Sequence, residues 1–298
     1  MQEIDAIKIN FDQDSLFIMN ICLAFIMFGI ALDLKVSDFK RVTKFPKPVL
    51  IGLSAQLLLL PVLTIILIHI WNPIPSMALG LLMVAACPGG NISNFAVHLS
   101  KGNTALSVTL TSIVTLLAFI TTPLAFAGWA KLVPSTNEIL SNIYVGPLAM
   151  FRIIFQLILV PLIIGMIVHY KLPILATAIK KPIRRISILL FFSFIVFALV
   201  ENYENIIKYL GLVFSLVVIH NLIAMIAGYS WASAFKLPFA DRKAICLETG
   251  IQNAGLGLVL ILAFFNHLGG MLLVAAFWGI WDLLSSFLIS MYWSRQKT

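Results

Sequence analysis

The chain has 298 residues, of which 61% are hydrophobic and only 11% charged, with a mean hydropathy of +1.03. A water-soluble domain carries about 25% charged residues, so this composition excludes a soluble globular protein and requires lipid as solvent. The net charge of +8 is accounted for by basic loops beside a membrane rather than by a nucleic-acid surface.

In chain order, the first segment, 1–14, holds Glu3, Asp5, Asp12 and Asp14 against Lys8 alone. Without a basic n-region it does not resemble a secretory signal, and it is expected to be an extracellular or periplasmic tail. Beyond it, windows of about 20 apolar residues, the length that crosses a bilayer core, give nine expected spans: 15–33, 47–70, 75–100, 104–127, 144–169, 184–201, 209–233, 241–266 and 268–293.

The basic residues orient these spans. Sixteen of the 20 Lys and Arg fall in the tail and loops on one side: Lys35, Lys40, Arg41, Lys44, Lys47, Lys101, Lys171, Lys180, Lys181, Arg184, Arg185, Lys236, Arg242, Lys243, Arg295 and Lys297. The opposite side holds Lys8, Lys131 and Lys208, and Arg152 can snorkel from the outer end of its span. The positive-inside rule then places the N-terminus outside and the tail 294–298 in the cytoplasm. A multi-pass protein of the cell (inner or plasma) membrane is expected.

Two spans are interrupted. The third contains Cys87-Pro88-Gly89-Gly90-Asn91-Ile92-Ser93-Asn94, and the eighth Glu248-Thr249-Gly250-Ile251-Gln252-Asn253-Ala254-Gly255-Leu256-Gly257. Pro removes a backbone donor and Gly removes helix preference. Unwound backbone at membrane depth is tolerated only where it is buried in protein or lines a cavity. Paired interruptions in corresponding positions of two halves point to a transporter's binding site. Residues 15–127 form a first quartet of spans and 184–293 a second that runs in the opposite direction, each broken in its third member. Residues 128–183 supply a connection, an unpaired helix and a basic cytoplasmic loop. An all-α inverted-repeat membrane transporter is expected.

Of the 12 acidic residues only Glu248 and Asp282 lie within apolar spans. A mid-membrane carboxylate costs about 2.5–3.5 kcal/mol on insertion scales, and its default reading is functional. No Lys or Arg is expected at membrane depth to pair with Glu248, so a metal cation or a proton is its natural counter-charge. Gln252 follows by one helical turn. The break would free carbonyl oxygens near Thr249 and Ile251. Carboxylate, amide and carbonyl oxygens together suit a hard cation. The other break offers Ser93 and Asn94. The next span presents Ser107 and Thr111 one turn apart, for which back-bonding or small-residue packing is the plain alternative. Gln56 is the one amide of the second span, where interhelical bonding is equally open. His220 is read as an interhelical hydrogen bond. The cysteines, Cys22, Cys87 and Cys246, are read as small buried hydrophobes.

These stretches carry a resemblance. IMFGIALDLKVSDF (Ile26–Phe39), ACPGGNISN (Ala86–Asn94), KGNTALSVTLTS (Lys101–Ser112), His220-Asn221 and ETGIQNAGLG (Glu248–Gly257) resemble the bile acid:sodium symporter family. The resemblance covers nearly the whole chain from about Ile18. It implies two discontinuous helices that cross in a core domain, a panel of remaining helices, and a pair of bound sodium ions. Carried over by residue, it implies one ion at Ser93, Asn94, Ser107, Thr111 and Glu248. The other would lie at Gln56, Glu248, Gln252 and the backbone around Thr249 and Ile251. Asn91 and Asn253 stand where relatives touch substrate. Set against ten-helix bacterial members, the chain is expected to start at their second helix, and it departs from many in carrying Trp281-Asp282 where they have His-Asn. Asp282 is thus a substrate-contacting candidate, or a proton-linked group, or a tie to a neighbouring helix.

The expected function is sodium-coupled symport of a small organic anion, bile-acid-like or a small carboxylate, by alternating access. No enzyme, nucleic-acid partner or obligate protein partner is expected. The alternatives are a proton-coupled carrier of the same fold and, more remotely, an intramembrane enzyme using Glu248 and Asp282 as an acid/base pair.

Overall fold

The structure is a computed structural model that describes residues 13–32, 44–90, 92–142, 147–201, 203–265 and 268–296. The described residues are helical with short connections. The helices are α1 (Gln13–Ala31), α2 (Pro46–Trp71), α3 (Pro75–Ala86), α4 (Ile92–Leu99), α5 (Thr104–Lys131), α6 (Pro134–Asn142), α7 (147–171), α8 (Pro173–Glu201), α9 (Tyr203–Ala234), α10 (Phe239–Gly250), α11 (Ala254–Phe264) and α12 (Gly269–Arg295). They fall on every expected span, with α3 and α4 sharing the third and α10 and α11 the eighth. Five stretches, in α2, α5, α7, α9 and α12, are long and apolar enough to cross a membrane by themselves. The protein is an all-α polytopic membrane protein.

Local sequence explains where helices start, bend and stop. Pro46 opens α2 and Pro75 opens α3, at first-turn positions where a missing N–H costs nothing. Inside α2, Pro61 cannot donate, and its ring crowds the carbonyl one turn back. The helix widens into a π-turn over Ala55–Leu59, with Leu60 N–H reaching back to the Ala55 carbonyl. Pro161 has the same consequence in α7, where the π-turn spans Phe155–Leu159. Asn72 ends α2 in the left-handed conformation (φ 47°). Pro88 biases the residue before it toward extended backbone; Cys87 adopts φ −71°, ψ 155°, and α3 stops there.

Two stretches differ from the expected layout. Residues 173–183, read as loop, are the start of α8. The connection after α5 contains the short helix α6. Both follow from proline at the first helical position, which suits a helix start as well as a turn.

Helices α1, α7 and α8 pack on one another, and the remaining helices form the larger group. Ser76 through Ala86 of α3 are buried throughout, as are Ala244–Gly250 of α10 and Leu256–Leu262 of α11. The interrupted helices are therefore the centre of the protein, surrounded by helices whose outer faces carry exposed Leu, Ile and Phe. Helix α12 runs alongside the first interrupted helix in constant register. A β-carbon on Gly270 would meet Ser76, one on Gly80 would meet Val274, and Ser290 Oγ donates to the Ala96 carbonyl at 2.9 Å. That register, 194 residues apart on both sides of the break, sets Asp282 level with Pro88.

Candidate cation site

The two breaks meet. Gly90 N–H donates to the Ile251 carbonyl at 3.0 Å, and Asn253 N–H donates to the Pro88 carbonyl at 2.8 Å, so two extended segments pair like a fragment of antiparallel sheet. The pairing satisfies backbone groups that neither helix can satisfy at this depth. The glycines are required by proximity. A β-carbon on Gly90 would stand 3.0 Å from the Gln252 carbonyl oxygen. The residues flanking the second break are capped in turn: Asn253 Oδ1 accepts from Leu256 N–H at 3.0 Å, and Asn221 Nδ2 donates to the Gly250 carbonyl at 2.7 Å.

Glu248 occupies the last turn of α10 and is completely buried. Its Oε1 lies 2.5 Å from Ser93 Oγ on α4, 2.5 Å from Ser107 Oγ on α5 and 2.9 Å from Thr111 Oγ1 on α5. Its Oε2 lies 2.9 Å from Thr111 Oγ1 and 3.3 Å from Gln56 Nε2, which the π-turn of α2 presents. Residues from four helices, 192 positions apart at most, thus converge on one carboxylate.

The hydroxyl protons are fewer than the acceptors they reach. Ser93, Ser107 and Thr111 offer one hydroxyl proton each, and Gln56 Nε2 adds its amide protons on the Oε2 side. Besides the carboxylate, the acceptors within reach are the Gly90 carbonyl (2.7 Å from Ser93 Oγ), Asn94 Oδ1 (2.8 Å from Ser107 Oγ) and the Ser107 carbonyl (3.1 Å from Thr111 Oγ1). Gln56 Oε1 is buried with no hydrogen-bond partner. Beside it, a β-carbon on Gly89 would come 3.2 Å from Glu248 Oε2, 3.5 Å from the Glu248 carbonyl and 3.6 Å from Gln56 Oε1. A buried negative charge amid surplus lone pairs is costly alone, and this oxygen set fits a hard monovalent or divalent cation.

Residues 20–209 match the model of the Sodium Bile acid symporter family. The chain belongs to that family. It is similar to the uncharacterized sodium-dependent transporter YocS of Bacillus subtilis (strain 168), 34% identical over 278 residues, covering 93% of this chain and 83% of the relative. It also resembles the probable sodium/metabolite cotransporter BASS2, chloroplastic, of Oryza sativa subsp. japonica, 29% identical over 250 residues, and the human P3 protein, 26% identical over 237 residues. The match covers 82% and 78% of this chain but only 56% and 48% of those two relatives, so the chain spans about half their length. Membership in this symporter family makes the protein a sodium-coupled membrane transporter rather than an enzyme.

The structure sorts the candidate residues. It gathers Gln56, Ser93, Asn94, Ser107, Thr111 and Glu248 around one point. Thr249, Ile251 and Gln252 are adjacent but differently employed. The Ile251 carbonyl accepts from Gly90, and the Thr249 carbonyl accepts from Gln252 Nε2 at 2.9 Å, so the expectation that the break leaves these oxygens free is corrected. Buried polar groups find partners, and the second break lends its own. Thr249 Oγ1 turns back to the Ile245 carbonyl at 2.8 Å. Asn253 spends its side-chain oxygen as the cap of α11. Asp282 is buried, on the stretch of α12 whose register with the first interrupted helix brings it level with Pro88. Asn91 lies outside the described residues.

His220 is buried, with Nε2 2.6 Å from Thr64 Oγ1, the expected interhelical bond. A further expectation is overturned. Lys243, counted with the loop cations, is completely buried on α10, because the loop before that helix is short and the helix begins at Phe239. It does not pair with Glu248; its ammonium goes elsewhere. Gly89 and Asn221 were not singled out as site residues, although both sit inside the motifs that were.

Proposed function

We propose that this transporter is a symporter that draws a small organic anion inward on the sodium gradient, with Glu248 as the residue shared by a pair of sodium ions. The observation that carries the reading is a buried carboxylate that meets no cation among the described residues, ringed by hydroxyl oxygens and set beside the unpartnered Gln56 Oε1 across the gap at Gly89. One ion is placed among Ser93, Asn94, Ser107, Thr111 and Glu248. The other is placed between Gln56 Oε1, Glu248 and the segment 249–252, where Gly89 leaves room.

Sodium binding from outside would draw the oxygens of α2, α4, α5 and α10 together and so order the paired breaks. The anion would then bind beside them, against Asn91, Asn253 and the segment level with Asp282. Movement of the larger helix group against α1, α7 and α8 would expose both cargoes to the cytoplasm, with the N-terminus outside. The opposed directions expected of 15–127 and 184–293 would suit such alternating access, since inverted halves can exchange conformations. Two sodium ions with one monovalent anion would carry net charge, worth about 2.3 kcal/mol per charge per 100 mV.

The test is uptake into proteoliposomes of a labelled anion, chosen by screening small carboxylates and bile-acid-like anions for sodium-dependent thermal stabilisation. Wild-type uptake is expected to need inward sodium and to be lost in Glu248→Gln. Uptake that follows a proton gradient and ignores sodium refutes the coupling, and sodium-dependent uptake by Glu248→Gln refutes the site.

A further inference from the structure

Lys243 is a charged side chain with no exposed surface. Its Nζ donates to the Ser100 carbonyl at 2.9 Å, just beyond the last turn of α4. The rings of Phe239 and Trp293 flank it, with centroids 4.4 and 5.8 Å from Nζ. Among the described residues it meets no carboxylate within ion-pair distance. Two neighbouring bonds join the same pieces: Asn103 N–H to the Ala240 carbonyl at 3.0 Å, and Asn103 Nδ2 to Asp241 Oδ1 at 2.7 Å. The turn between α4 and α5 is thereby fastened to the first turn of α10.

These are three of the four helices that hold the Glu248 carboxylate. An isolated buried ammonium is strongly unfavourable. Here the carbonyl, the ring faces and the negative end of the α4 dipole compensate it. Helix α4 has only 8 residues, Ile92–Leu99, with Ser93 and Asn94 in its first turn. A helix that short, about 12 Å long, is rigid, so whatever fixes its last carbonyls also fixes its first side chains.

We propose that Lys243 is a positioning residue for the cation site: by holding the far end of α4 against α10 it sets Ser93 and Asn94 at the distance from Glu248 that sodium needs. The proposal rests on the reading of Glu248 as a sodium ligand. It makes sodium affinity, and not only stability, depend on a side chain that touches no ion.

The purified full chain would be titrated with sodium chloride at constant ionic strength, reading thermal stabilisation. Wild type should be stabilised and Glu248→Gln should not respond. Lys243→Met, similar in volume but uncharged, should raise the sodium midpoint about tenfold, the size of a partly buried helix-terminal charge effect. Lys243→Arg should stay within about threefold of wild type. Phe239→Leu, which removes one ring and keeps the amine, should lie between. Thr136→Val provides the structural control: Thr136 Oγ1 bonds the Ala130 and Val133 carbonyls far from the site. It should lower the melting temperature and leave the sodium midpoint unchanged. Unchanged midpoints in Lys243→Met and Phe239→Leu, with only melting temperature lost, would overturn the proposal. A wild-type protein that ignores sodium would overturn the Glu248 reading and this inference with it.

Discussion

Gly89 faces Glu248 across a gap that no other residue could leave open: its missing β-carbon would lie 3.2 Å from Oε2. A methyl group there would fill the space between the carboxylate and the orphaned Gln56 Oε1. Gly89→Ala should therefore raise the sodium midpoint at least about tenfold, while costing no more than about 1 kcal/mol of stability without sodium, the usual size of a point-mutant effect. A sodium titration of melting temperature reads both quantities. An unchanged midpoint would show that the gap holds no ion.

The two carboxylate oxygens have different neighbours, with Ser107 on Oε1 and Gln56 on Oε2. If each side serves one ion, Gln56→Leu and Ser107→Ala should each flatten the sodium dependence of uptake, from cooperative toward hyperbolic. The Hill coefficient from initial rates checks this. Equal loss of rate at every sodium concentration, with the steepness kept, would assign the pair to a single ion.

Asn221 supports the site without touching it. Its amide covers the Gly250 carbonyl at the buried end of α10. Asn221→Leu should destabilise the protein by about 1–3 kcal/mol, the penalty for a buried acceptor left unpaired. The loss should persist in saturating sodium. Thermal unfolding followed by tryptophan fluorescence measures it.

Asp282 stands level with Pro88, on a helix none of whose residues contacts Glu248 through a described hydrogen bond. Asp282→Asn should leave the sodium midpoint within about twofold of wild type and shift the KM for the transported anion by about threefold to tenfold, as an amide in place of the carboxyl changes the hydrogen bonds offered to the anion. Uptake kinetics at saturating sodium test this. An altered sodium midpoint would instead connect Asp282 to the ions.

Much of this is legible in the sequence. Composition alone required lipid, and windows of apolar length fell where the helices lie, because the bilayer sets a length scale that a single sequence must meet. The breaks were legible because Pro88 and the glycines act on their immediate neighbours. Glu248 stood out because a lone carboxylate at membrane depth is costly wherever the chain goes. Helical spacing put Ser107 and Thr111 on one face of the next helix, and only the family resemblance implied that they meet Glu248.

What stayed hidden depends on contacts between distant segments. The role of Gln56 arises from a π-turn that Pro61 induces but whose aim only packing against α10 decides. The Ile251 and Thr249 carbonyls looked free because their partners, Gly90 and the Gln252 side chain, are chosen by how the two breaks pair. Lys243 looked like one more loop cation beside Asp241 and Arg242. Its burial is decided by the turn at Ser100, which covers it. Residue type and spacing thus determined the solvent, the spans and the charge that must be answered. Tertiary structure alone decided which oxygens answer it and which cation is locked inside, because local rules act over one or two helical turns and this site joins residues up to 192 positions apart.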